Sequence, residues 1–305
     1  MKREWTKIEF SKERPFGKRM GATFMFFREN SGQMLRLSIG FLLPTVLLMT
    51  LFFTWAQSQL FKFTQVGYIT PSALGAFTLY AACALLLYML VPSFTMALLQ
   101  LYNKREERLR DVTFGEVMDA MKPNFIKMSC LMPFIIVLCG LMLILEFKTS
   151  LPLYLIVISV FYLGIGVPLA LLLPVYMIER ISLWKALTRS FKLGYQHWGS
   201  TFVFLLVLGL IGGGVALLFA FPWLVTTYVE SAFYASSSNF QIPFIYQIVI
   251  FLFSLFMICG QIISSIFFLI GLCYQYAHTV SFRQKVLVVD DVDKALDSFD
   301  VLRDE

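Results

Sequence analysis

Charge is what this sequence has least of. Asp, Glu, Lys and Arg make up 14% of its 305 residues, where a soluble domain carries about 25%. That shortage excludes an ordinary solvated globular surface. Histidine occurs only at His197 and His278. Neither has an acidic or thiol partner at ligand spacing, so both read as interfacial side chains rather than metal ligands or bases. Cys83, Cys130, Cys139, Cys259 and Cys273 all lie inside apolar runs, as small buried side chains do, without zinc-ligand spacing.

Other signals are missing too. The first thirty residues are polar and basic, with no apolar stretch ending in a small-residue cleavage site. No secretory signal is therefore expected, and the first span directs insertion. Gly212-Gly213-Gly214 lacks the following Lys-Ser/Thr of a phosphate-cradling loop. No acid, base or histidine sits clearly in the middle of an apolar run, as a proton relay or ion-coupled transporter needs. With no converging polar pair, no catalytic residue, cofactor or metal is assigned, and the protein is expected not to be an enzyme. No nucleic-acid partner is expected.

What the chain has in abundance is apolar length. Hydrophobic residues reach 58% and mean hydropathy is +0.75. Six runs can cross a bilayer as helices, which takes about 20 residues each. They are Leu37–Ala56, Ala73–Leu99, Met128–Leu145, Leu151–Ile178, Ser200–Val225 and Pro243–Ala277. The segments between them alternate in charge, and 23 of the 25 basic residues fall on one side. The positive-inside rule makes that side cytoplasmic, with both termini there. The setting this predicts is a bacterial inner membrane.

Each odd span follows a short amphipathic stretch, near Phe16–Phe27, Thr113–Asn124 and Ser182–Lys192. In the third, Leu183, Trp184, Leu187 and Phe191 share an arc opposite Lys185, Arg189 and Lys192. Thr113 and Glu116 have capping-box spacing, and Ser182 suits an N-cap. Polar turns at Glu29–Gly32, Lys122–Asn124 and Gly194–Gly199 are expected to feed each stretch into its span. Pro44 and Pro133 sit early in spans one and three, where they can kink a helix. The even spans carry a helix breaker near their cytoplasmic ends, at Pro92, Pro174 and Gly271, which are candidate hinges.

The expected fold is an all-α integral membrane protein of six transmembrane helices. They form three helix–span–span repeats, about 14–101, 111–179 and 181–279, each with a short interfacial helix. Residues 1–280 make one transmembrane domain. Residues 281–305 form an acidic cytoplasmic tail, with a helix expected to start at Asp290 and Asp291. Val292, Leu296, Phe299 and Leu302 share one face of it, which either docks on the basic belt or stays solvated.

The run Ile181-Ser-Leu-Trp184-Lys-Ala-Leu187-Thr-Arg189-Ser-Phe191-Lys-Leu193, followed by Trp198 and an aliphatic span, resembles a known group. It is similar to bacterial multipass proteins related to the membrane domain of glycerophosphodiester phosphodiesterases. The likeness is clearest over residues 181–215. It implies a short helix leading into a span, and carries over no catalytic residue.

Lys18, Arg19, Arg28, Lys185, Arg189 and Lys192 are candidate contacts to anionic lipid, since cytoplasmic basic residues attract such headgroups. The expected partners are membrane lipids, with no protein partner identified. The expected function is that of a non-enzymatic scaffold or lipid-interacting protein. A permease for an apolar or lipid-like substrate is the alternative, with the hinges as its moving parts. Topology has a direct check. In a cysteine-free background, Ser58→Cys and Ser237→Cys should react with an impermeant thiol reagent from outside. Ser11→Cys should not, and labelling at Ser11 in intact spheroplasts would overturn the orientation.

Overall fold

Apolar periodicity without strand signals leaves helices as the only way to satisfy the backbone in lipid. The computed structural model describes residues 14–148, 150–236 and 243–303. Among them all regular structure is helical, with no strand. The helices are α1 (Phe16–Phe41), α2 (Leu43–Val66), α3 (Pro71–Lys104), α4 (Phe114–Lys148) and α5 (Leu151–Phe161). After a π-turn at Tyr162–Gly166 come α6 (Val167–Ala170), α7 (Leu172–Ile178), α8 (Leu183–Gln196), α9 (Trp198–Ser236) and α10 (Phe244–Arg303).

Five segments are long and apolar enough to cross a membrane, and α1 with α2 makes a sixth if that bent pair is one span. In the five, only 17–28% of the most apolar window is buried inside the protein. The exposed remainder includes Leu210, Leu217, Leu218 and Phe221 along α9. Such a surface is stable only against another apolar phase. The chain is therefore a multipass helical membrane protein. At 34 residues, α3 is about 51 Å long, longer than a hydrocarbon layer of about 30 Å.

Local chemistry sets the helix ends. Thr113 and Glu116 form the expected capping box: the Thr113 N–H donates to Glu116 Oε2 at 2.9 Å, and the Glu116 N–H to Thr113 Oγ1 at 3.4 Å. Gly67 ends α2 in the left-handed region (φ 78°), its N–H bonded to Phe63 O, a conformation glycine adopts freely. Arg180 also turns left-handed (φ 54°) where α7 gives way to α8. Ser182 is the α8 N-cap residue, but its side chain makes no capping bond.

Several expected boundaries are overturned. The turn at Glu29–Gly32 is helical, and α1 runs on to Phe41. Polar residues there are held by neighbours: Glu29 meets Arg108 at 3.3 Å and accepts from the Tyr102 hydroxyl at 3.5 Å. The break falls instead at Leu42, within the expected first span, with a bend of 61°. Pro44 explains it, because proline lacks an N–H and its ring meets the carbonyl one turn back. The turn at Lys122–Asn124 is helical too, and Asn124 Nδ2 donates to Ala120 O at 3.0 Å. Pro133 lies inside the same unbroken helix. Only the third short helix, α8, is separated from its span, at His197.

At its far end, α9 continues to Ser236, well into the loop expected from residue 226. The helix expected to start at Asp290 is simply α10 continuing, unbroken to Arg303. The side chains of Glu146 and Lys148, and those beyond Ser281, including the tail's apolar face, lie outside the described residues.

The described residues within 1–28, 134–207 and 270–305 form one compact unit, and those within 29–133 and 208–269 another. In the second, α2 packs on α3, and the Phe41 ring lies 6.1 Å from Phe94 and 5.5 Å from Phe114. In the first, α8 packs on α6 and α7, and the approach is close at Gly194. A Cβ there would lie 2.5 Å from Pro168 Cα, a backbone atom that cannot step aside. Gly194→Ala should lower stability by about 1–3 kcal/mol through overpacking. Gly213→Ala, whose Cβ meets nothing within 4 Å, should not. Thermal unfolding of the two variants in one detergent checks the difference.

Candidate functional site

Helix α8 presents three faces. Ala186, Ser190, Leu193 and Gly194 are buried, and the small Ala186, Ser190 and Gly194 let the helix lie close on α6 and α7. Trp184 is 74% exposed and Tyr195 55%, with Phe191 half-buried between them in sequence and its ring 6.0 Å from Tyr195. Lys185 and Lys192 are exposed alongside. Of the arc seen in the sequence, Trp184 stands clear of the protein while Leu183, Leu187 and Phe191 are half-buried, and the residues of the buried face make the contact.

A polar clamp holds α8 in place. Glu179, at the end of α7, accepts from Arg189 Nε at 2.7 Å and from the Tyr276 hydroxyl at 2.6 Å. Arg189, a candidate lipid contact from the sequence, is thus also engaged in an ion pair. A second tie comes from the broken span. Pro168 has no N–H to offer the carbonyls of Gly164 and Leu163, four and five residues before it. The Tyr195 hydroxyl donates to Gly164 O at 3.0 Å and Trp198 Nε1 to Leu163 O at 2.8 Å. Side chains from both ends of the α8–α9 junction re-satisfy what the proline releases. Val160, Leu163, Gly164, Tyr195 and Trp198 line an open apolar recess of about 470 Å³ there.

Within the same unit lies a polar knot around Arg19. Lys18 and Arg28 are exposed, but Arg19 is only 4% exposed and does not share their surface. Its Nη1 donates to Gln275 Oε1 at 2.5 Å and to Ser200 Oγ at 3.3 Å, and its Nη2 to Ser200 Oγ at 3.2 Å. Gln275 Nε2 in turn donates to Thr201 Oγ1 at 2.9 Å, which fixes the amide orientation. The guanidinium lies over the Phe204 ring at 5.3 Å. Burial, reinforced by the Arg19 charge, holds the His197 imidazole below its ordinary pKa.

The candidate hinges behave differently from one another. Pro92 and Gly271 are buried inside unbroken helices, so neither marks a break. Near Pro174 the helix is interrupted at Leu171, and the larger distortion belongs to Pro168.

A polar centre that periodicity missed sits in the other unit. Glu230, 2% exposed, accepts from Gln57 Nε2 at 3.0 Å. Gln57 Nε2 also donates to Thr227 Oγ1 at 3.2 Å, and Gln57 Oε1 accepts from Trp223 Nε1 at 3.0 Å. Glu230 lies beyond Val225, in the segment the sequence predicts as a loop. Its place near the end of an apolar helix was the available signal, but its partner on α2 is distant in sequence.

Comparison with known protein families, curated proteins and solved structures returns no match to this chain.

Gln57 serves both Trp223 and Glu230, so its loss strands one buried polar group and one half-buried one. Gln57→Leu should destabilise by about 2–4 kcal/mol, since an unmet buried group costs about 1–3 kcal/mol. Adding Glu230→Leu should recover part of that loss. A double-mutant cycle on thermal or denaturant unfolding checks it, and simple additivity would refute the coupling.

Proposed function

We propose that this chain is a non-enzymatic protein of the bacterial inner membrane that engages anionic lipid at its cytoplasmic face, both termini lying on that side. The observation that carries this reading is the three-faced α8. Its small face is taken by the protein, while Trp184 and Tyr195 stay exposed beside Lys185 and Lys192. Amphipathic aromatics favour the membrane–water boundary. Each lysine near an anionic leaflet adds about 1 kcal/mol of attraction. Lys18 and Arg28, exposed on α1, would add to the same belt. The resemblance of residues 181–215 to membrane regions associated with glycerophosphodiester phosphodiesterases agrees with a lipid-directed role.

A permease for an apolar or lipid-like substrate is the second reading. The π-turn at Tyr162–Gly166 favours it, since distorted spans recur where transporters bind and move substrate.

The lipid reading is tested in nanodiscs mixing phosphatidylglycerol and phosphatidylcholine. Wild-type protein should enrich phosphatidylglycerol in its surrounding lipid. The Lys185→Glu/Lys192→Glu variant should lose most of that enrichment, and Trp184→Ala a smaller part. Equal enrichment across all three proteins would overturn the role of α8. Flux of a fluorescent lipid across proteoliposomes, slowed by locking the π-turn, would favour the permease instead.

A further inference from the structure

We infer that Arg19 and the first turn of α9 form a binding site for a phosphate group, supplied by the headgroup of a membrane phospholipid. The inference rests on the lipid-engaging reading above and gives it a defined site.

Among the described residues, no carboxylate pairs with the charge at this place. Arg19 is a guanidinium at 4% exposure, and its bonding partners, Gln275 Oε1 and Ser200 Oγ, are neutral. Its buried Nε has no hydrogen-bond partner. Buried cations are normally paired with a carboxylate. Arg19 instead abuts the N-terminus of a long helix, since Ser200 sits in the opening turn of α9. The first N–H groups of any helix lack intrahelical acceptors and carry partial positive charge. In α9 the N–H of Thr201 is the first to reach back, to His197 O at 2.9 Å. The N–H groups before it are left for a ligand. A cation placed against a helix N-terminus is unfavourable until an anion joins them.

The site is also open on the correct side. Gly199 and Ser200 are exposed, and a Cβ built on Gly199 meets nothing within 4 Å. Ser200 Oγ accepts from both Nη atoms of Arg19, which leaves its own proton free to donate outward. A phosphate oxygen over Gly199–Ser200 would accept hydrogen bonds from that hydroxyl and from the α9 N–H groups, with the Arg19 charge behind them. Exposed Lys18 neighbours Arg19 on α1. Gln275, held by Thr201, keeps the guanidinium in position when the site is empty. A site at the mouth of a spanning helix is at headgroup depth, which favours a lipid phosphate over a soluble one.

The test is native mass spectrometry of the full-length protein released from nanodiscs containing phosphatidic acid in phosphatidylcholine. Wild-type protein should retain phosphatidic acid, and sodium phosphate in the buffer should not displace it. Ser200→Asp places a carboxylate opposite Arg19. It should reduce retention by roughly ten- to a hundredfold, the range set by losing charge-assisted bonds, while raising the melting temperature. Arg19→Gln should lose retention as well, and if it misfolds, Ser200→Asp still decides. Lys185→Glu/Lys192→Glu should leave this retained lipid in place while removing most of the bulk phosphatidylglycerol enrichment, so the two ideas fail separately. Retention by Ser200→Asp equal to wild type overturns the site. Displacement by sodium phosphate, or protection by it without lipid retention, overturns the lipid assignment.

Discussion

Inside a bilayer a freed carbonyl has no water to turn to, and much of this structure follows from that constraint. Pro168 breaks the ladder of the fourth apolar segment, and the cost is met from outside the helix by Tyr195 and Trp198. For those side chains to reach, α8 must lie close on α6 and α7, which Gly194 permits. The Glu179–Arg189–Tyr276 cluster then holds the same helix by charge. The small-residue face of α8 is committed to this contact, and Trp184 and Tyr195 are left exposed.

The same constraint shapes the buried polar groups. Gln57 in one unit and Gln275 in the other each use both ends of an amide. Gln57 joins Trp223 to Glu230, and Gln275 joins Arg19 to Thr201. An amide can donate and accept at once, so it bridges groups that a hydroxyl or an aliphatic side chain would leave unmet. Such centres limit which rotations of neighbouring helices are tolerated, a specificity that the uniform apolar surface cannot provide.

How much of this was legible in the sequence depended on range. Helical class, apolar length and the Thr113–Glu116 box are local, and each was readable from composition or spacing. The arc of Trp184 and Phe191 was readable as an arc, but periodicity cannot say whether a face meets protein or lipid. Glu29–Gly32 looked like a turn because its residues are polar, and Arg108 and Tyr102, which stabilise Glu29 within a helix, lie far along the chain. Prolines were the hardest. Pro92 sits in an unbroken helix, while Pro168 lies in the first turn of the short α6, just after the π-turn. Arg19 read as one more surface cation because nothing adjacent announces Gln275 or Ser200.

The pairing of Leu163 and Gly164 with later residues also orders events during synthesis. When residues up to Ile178 have left the ribosome, the broken span carries two carbonyls whose partners have not yet been made. Tyr195 and Trp198 follow in the next stretch of chain, so this span reaches its final hydrogen bonding only after its successor begins to enter. The backbone of the earlier segment is thereby completed by the residues that lead into the later one.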